Sequence, residues 1–213
     1  MRKYVISALF VLFISGMSQA QDYKIGIKVA PTLSNVRTSA EGSTDVTRDG
    51  SAVKFLLGAF VDIQFKENYY FSGGINFASK VSKFNATTLG GNVTEEYDHE
   101  YLQIPLLLKL YTNEILLDTK LFFNFGLVPE LRLNTAFQSE GSTRNPIIEE
   151  WSNFDLAGNF GGGIERGIGV NTRIFAALNY NIGFLNQVQS HARAFEGIVL
   201  KSNLFSLDFG IKF

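Results

Sequence analysis

The chain has 213 residues, with 19 Lys and Arg against 20 Asp and Glu, so no basic excess suits it to nucleic acid. It contains no cysteine, which excludes disulfides and thiolate metal sites. Twenty Phe and 20 Gly beside 4 Pro favour strands with tight packing and bends over helices.

Residues 1–20 read as a secretory signal peptide. Arg2 and Lys3 give a basic start, Val5 to Ile14 an apolar stretch broken by Ser7, and Ser18-Gln19-Ala20 a small-x-small cleavage site before Gln21. No Cys follows that site, so lipoprotein processing is not expected. The expected mature domain is 21–213. Within it no apolar run approaches the roughly 20 residues of a spanning helix; Leu102 to Tyr111 is the longest, and Gln103 and Lys109 interrupt it. An exported chain without such a helix can still be integral to a membrane as a closed barrel, because closure satisfies every backbone group.

Read with a period of two, the chain yields eight segments, each with one apolar face. The first carries Tyr23, Ile25, Ile27 and Val29; the second Phe55, Leu57, Ala59, Val61, Ile63 and Phe65; the third Phe71, Gly73, Ile75, Phe77 and Val81. The fourth carries Leu102, Ile104, Leu106, Leu108 and Leu110, and the fifth Leu121, Phe123, Phe125, Leu127, Leu131 and Leu133. Phe154, Leu156, Phe160 and Ile164 mark the sixth, and Ile174, Ala176, Leu178, Tyr180, Ile182 and Phe184 the seventh. The last has Phe205, Leu207, Phe209, Ile211 and Phe213 opposite Ser206, Asp208, Gly210 and Lys212. An alternating closing strand ending on an aromatic residue suits a barrel whose last strand pairs with its first, with Phe209, Ile211 and Phe213 as a terminal assembly signal. These faces carry almost no charge, as hydrocarbon demands.

The expected connections, near residues 32–52, 66–68, 84–98, 112–118, 134–152, 166–171 and 185–200, run long and short in turn. That is the pattern of short periplasmic turns and long outer loops. The sequence therefore predicts an all-β, eight-stranded antiparallel up-and-down transmembrane β-barrel in the cell outer membrane. Tyr23, Phe65, Tyr69, Tyr70, Tyr111 and Phe213 are expected as a periplasmic aromatic girdle, with Phe84, Tyr101, Trp151 and Phe184 at the outer interface. Pro105, which removes a ladder hydrogen bond, predicts a bulge or a lumen-side water, or else a place near the outer rim.

The opposite faces place Lys24, Lys28, Asp62, Lys80, Lys109, Glu130, Arg132, Asp155, Glu165, Arg173, Asp208 and Lys212 inside. Eight strands leave an interior just wide enough for side chains, so these charges are expected to form a salt-bridged plug, with a proton or ion path as the alternative. His99 and His191 lie in or beside outer loops and lack HxH or HExxH spacing, so no metal site is expected. Ser190, His191 and Glu196 could supply a lipid-modifying hydrolase, but loop placement argues against it. Gly161-Gly162-Gly163 precedes no helical pattern and reads as close strand packing, not a phosphate loop. No catalytic residue, metal or cofactor is expected, and the protein is not expected to be an enzyme. A small channel and an outer-membrane lipid-modifying enzyme are the alternatives.

The stretch Tyr101-Leu-Gln-Ile-Pro-Leu-Leu-Leu-Lys-Leu-Tyr111 resembles a strand motif of the Bacteroidetes outer-membrane barrels known as PorT-like or porin-family proteins. Val61-Asp-Ile-Gln-Phe65, Tyr70-Phe-Ser-Gly-Gly-Ile75, Lys24-Ile-Gly-Ile-Lys28 and Phe209-Gly-Ile-Lys-Phe213 extend the likeness over the mature chain. The resemblance implies the barrel fold and an outer-membrane location. Through PorT it suggests a link to protein secretion by the type IX pathway. The partners it implies are outer-membrane lipid, the barrel-assembly machinery during insertion, and secretion-system or extracellular partners at outer loops such as Ser39 to Asp45.

Overall fold

A strand in contact with lipid on one side and side chains on the other must alternate, and the backbone of such strands stays hydrogen-bonded only if the sheet closes. The computed structural model describes residues 23–39, 46–88, 91–138, 147–191 and 198–213. Its strands are β1 (Tyr23–Ser39), β2 (Val46–Arg48), β3 (Ala52–Lys66), β4 (Tyr69–Thr88), β5 (Gly91–Gln103), β6 (Leu106–Tyr111), β7 (Thr119–Gln138), β8 (Ile148–Trp151), β9 (Phe154–Gly167), β10 (Arg173–Gly183), β11 (Val188–His191) and β12 (Val199–Lys212). All pairings are antiparallel. The wall is a ring of 8 strands, β1, β3, β4, β5 continued by β6, β7, β9, β10 and β12, and β12 returns to β1. The chain ends seal the ring: the Phe213 N–H donates to Ile25 O at 2.8 Å, and the Ile25 N–H to Phe213 O at 3.2 Å.

The apolar faces named from the sequence lie on the outside, from Tyr23 and Ile25 on β1 to Phe209 and Phe213 at the closing strand. Val81 departs from this: it is buried, in a stretch of β4 beyond the last β3–β4 pair, Leu56 with Ala78, where the Ser34 hydroxyl accepts from the Val81 N–H and donates to its carbonyl. The long connections contain more strand than expected. β1 runs on to Ser39, β4 and β5 extend to Thr88 and from Gly91, and β7 continues to Gln138. Beyond the membrane these strands still hydrogen-bond, but their outer faces no longer need to be apolar, so the alternation that marks a strand fades. β2 adds to the upper part of β4, while β8 and β11 form a separate two-stranded sheet. Residues 1–22 and most of the loop from Ser39 to Asp45 lie outside the described residues.

Pro105 sits in the wall, not at the rim. Pairing pauses at Ile104-Pro105, where the Ile104 N–H donates to Pro129 O at 2.9 Å. It resumes without a shift: Gln103 lies opposite Asn76 and Glu130, and Leu106 opposite Gly73 and Leu127. The proline therefore interrupts the ladder without a bulge. The irregularity lies between Glu100 and Tyr101, against β7.

Candidate functional site

The lumen is filled in layers, each set by which inward positions face one another. At the periplasmic end Lys109 Nζ donates to both oxygens of Asp62 at 2.9 Å. Lys212 Nζ lies 2.5 Å from Glu165 Oε2 and 3.2 Å from Asp62 Oδ2, and donates to the Tyr111 hydroxyl at 2.9 Å. The Tyr111 hydroxyl donates in turn to Glu165 Oε2 at 2.7 Å, and Arg173 Nη1 reaches Glu165 Oε1 at 3.4 Å. Tyr70 and Tyr111 meet edge to face, 5.0 Å apart. These two were expected in the girdle, yet they plug the lumen, because their strand parity is that of Ser72 and Lys109. Lys24 lines the small cavity beside them.

Above this layer Phe60, Phe122 and Phe175 form a septum, with T-shaped contacts at 5.5 Å (Phe60–Phe175) and 6.2 Å (Phe122–Phe175). Room for the rings comes from facing glycines. A Cβ on Gly26 would lie 2.4 Å from the Phe60 ring, one on Gly210 2.4 Å from Phe175, and one on Gly163 2.7 Å from Phe122. Lys109 Nζ lies 4.8 Å from the Phe60 ring centroid, so the ionic layer rests on the septum.

Next comes a chamber of about 50 Å³ bordered by Lys28, Asp208 and a ring of carboxamides, Asn76, Asn124, Asn159, Asn179 and Asn181. Lys28 Nζ pairs with Asp208 Oδ2 at 2.6 Å, and Asn159 Nδ2 donates to Asn181 Oδ1 at 2.6 Å. A space of this size suits a few water molecules. A second ionic layer closes it. Lys80 Nζ contacts Glu130 Oε2 at 2.5 Å, Gln103 Nε2 donates to Glu130 Oε1 at 2.8 Å, and Gln187 Nε2 and the Ser202 hydroxyl donate to Asp155 Oδ2 at 3.0 and 3.2 Å.

The extracellular mouth is capped by a cluster in which Phe84, Tyr97, Trp151, Ile147, Ile148 and Leu200 are buried. Of the four rings expected at the outer interface, Phe84, Tyr101 and Trp151 turn inward instead, Phe84 and Tyr101 at 0% exposure; Phe184 stays outside. Arg132, expected to pair with a carboxylate, donates through Nε and Nη2 to the Tyr101 hydroxyl at 3.0 and 2.5 Å, and its guanidinium carbon lies 5.2 Å from the Trp151 ring centroid. His99 bridges the Thr135 and Ser82 hydroxyls at 3.0 and 3.1 Å and packs 4.5 Å from Trp151. His99 stands above Leu102, the last outward apolar residue of β5. There burial, with Arg132 and Lys80 adding to it, holds the imidazole well below its ordinary pKa and hence neutral. Tyr97 donates to Glu95 Oε2 at 2.6 Å, and burial and then that carboxylate push its hydroxyl above the usual range. Glu95 in turn accepts from the Ile147 N–H at 3.0 Å, which pins the approach to β8.

Thus Asp62, Lys109, Glu165, Arg173 and Lys212 converge in one layer, Asp208 joins Lys28 in the next, and Glu130 and Asp155 join Lys80, Gln187 and Ser202 above. Phe209, Ile211 and Phe213 face outward on the closing strand. The sequence reading missed the phenyl septum, the carboxamide ring, Gln187 and the cap. Inward glycines opposite inward phenylalanines were the available signal for the septum. Ser190 and His191 belong to β11, and Glu196 lies outside the described residues.

A closed antiparallel ring with a charge-free outer belt and a packed polar lumen is a transmembrane barrel of the bacterial outer membrane. The chain belongs to the outer membrane protein beta-barrel domain family, which matches residues 18–188. Among solved structures, the outer membrane protein OprG of Pseudomonas aeruginosa has a TM-score of 0.57 at 13% identity, with 89% of this chain and 95% of that chain covered. Neisserial surface protein A gives a TM-score of 0.55 at 10% identity, covering 91% of this chain and 98% of that chain. At such identities the likeness is one of fold. No curated protein matches the chain.

Proposed function

We propose that this protein is a non-enzymatic outer-membrane scaffold that uses a rigid, plugged barrel to present its extracellular strand extensions and loops for binding or assembly. The observation that carries this reading is the layered filling of the lumen. An ionic layer, a phenyl septum, a second ionic layer and an aromatic cap follow one another along the axis, with opposite charges paired within layers. A narrow barrel so filled has no continuous aqueous path among the described residues, and its buried charges are held by partners within the lumen. Residues 1–20 act in this reading as the cleaved signal. The test is conductance of the purified protein in planar bilayers. Silence is expected; steady porin-like currents would promote the channel instead.

A finer reading, participation in protein secretion in a Bacteroidetes host as for PorT, rests on the resemblance of Tyr101 to Tyr111 and the accompanying segments. It predicts that secretion-system components co-purify with the protein after crosslinking in the native membrane. Normal secretion in a strain lacking the protein would remove it.

A further inference from the structure

Two of the periplasmic turns carry exposed aliphatic residues where turns in water are polar throughout. Ile115, Leu116 and Leu117 in the β6–β7 turn and Ile168 and Val170 in the β9–β10 turn all point away from the protein, Leu117 at 83% exposure and Val170 completely. The turns are neighbours: the Gly167 N–H donates to Asp118 O at 2.8 Å, and Thr119 pairs with Arg166. Five adjacent exposed aliphatic side chains make a patch of the kind that marks a contact surface. The third turn, Lys66-Glu67-Asn68, is polar.

The outward aromatic rings at this end crowd onto one arc of the ring. Phe213, Tyr23, Phe65 and Tyr69 lie on or beside β12, β1, β3 and β4. On the opposite arc the last outward strand residues are Leu110, Leu121, Arg166 and Ile174, and the outward ring nearest this end is Phe123, opposite Leu110. There the apolar surface continues past the strand ends. Thr112 and Thr119 scarcely interrupt it, because their hydroxyls donate to Leu121 O at 3.3 Å and Leu117 O at 3.0 Å. Glu114 and Asp118 flank the aliphatic run of the first turn and are exposed, and Arg166 is the outward basic residue nearest them; a long basic side chain of that kind reaches phosphate while its stem stays in hydrocarbon.

We propose that these two turns are membrane-inserted. The barrel sits inclined, with the β6–β7 and β9–β10 side sunk into the inner leaflet of the outer membrane, Ile115, Leu116, Leu117, Ile168 and Val170 among the upper acyl chains, and Arg166 on a phospholipid phosphate. The rings of the opposite arc hold the interface at its ordinary height. Continuity with the lipid-facing belt selects lipid as the occupant; a periplasmic protein would need no such continuity and no thinned girdle.

The test places one added tryptophan at a time, Leu117→Trp, Val170→Trp or Glu67→Trp, in protein reconstituted into phosphatidylcholine vesicles brominated either near the headgroup or near the chain end. Trp151, the chain's single tryptophan, lies in the extracellular cap and serves as the common reference. Heat-dependent gel mobility confirms folding of each variant. Shallow bromines are expected to remove about half of the added emission at 117 and 170, the depth of an interfacial segment, and none at 67. If the emission at either 117 or 170 resists shallow bromines as that at 67 does, the patch faces water, and the proposal falls in favour of a surface for a periplasmic protein. Conductance does not depend on tilt, so this experiment can fail while the scaffold reading stands.

Discussion

Replacing Lys212 with methionine tests whether the periplasmic ionic layer holds the barrel together. Lys212 is buried and serves two carboxylates at once, Glu165 at 2.5 Å and Asp62 at 3.2 Å. Removing one partner of a buried ion pair costs about 3–5 kcal/mol, because the other charge is left stranded. Asp62 keeps both contacts to Lys109, while Glu165 keeps the Tyr111 hydroxyl at 2.7 Å and the longer Arg173 contact. The loss therefore belongs at the low end, about 3 kcal/mol. Glu165 is the more exposed to it, since its contact with Arg173 is longer than those Asp62 keeps with Lys109. Urea unfolding of the refolded protein in detergent, followed by Trp151 fluorescence and gel mobility, measures the change. Adding Glu165→Gln to Lys212→Met removes the stranded charge and should recover about 1–2 kcal/mol, a coupling in the range of contacting residues. Two results would refute the reasoning: Lys212→Met as stable as the wild type, or a double variant whose loss is the plain sum of the two single losses.

Phe125→Arg should block insertion or cost about 2–4 kcal/mol by placing a charge on the lipid face. Asn124→Arg, one residue away, should also be poorly tolerated, since Asn124 Oδ1 packs 2.7 Å from where a Gly161 Cβ would lie; Asn124→Ala is the substitution the chamber accepts, and refolding yield separates the three. Gly126→Ala should cost about 1–3 kcal/mol by overpacking, because its Cβ would meet Leu106 O at 2.2 Å, whereas Gly169→Ala, with its nearest atom at 3.8 Å, should leave the unfolding midpoint unchanged. Deleting Phe213 should lower outer-membrane levels sharply in fractionated cells, because its N–H and C=O both bond Ile25 across the closing seam; normal levels would show that closure does not need it.

Two physical constraints made the wall legible from the sequence. Hydrocarbon forbids charge on the outer face, and extended backbone puts every second residue there, so Ile25, Ile27, Phe55, Leu57, Phe209 and Ile211 declared their orientation by themselves. The parity of loop lengths declared which way up the barrel stands. Above the belt neither constraint operates, which is why β1, β4, β5 and β7 run farther than their patterns showed. Tyr70 and Tyr111 were misjudged because an aromatic residue at a strand end looks alike whether it faces lipid or lumen; their parity with Ser72 and Lys109 held the answer. Strand parity placed Arg132 among the inward charges but named no partner for it. Its partner was decided by the one-residue irregularity between Glu100 and Tyr101, which brings the Tyr101 hydroxyl opposite it. Which lysine meets which carboxylate, that Phe60, Phe122 and Phe175 close a septum over Gly26, Gly163 and Gly210, and that β8 and β11 cap the mouth all depend on the register of eight strands taken together. Local periodicity fixes the face on which a side chain lies; only ring closure fixes its height, and height determines what it touches.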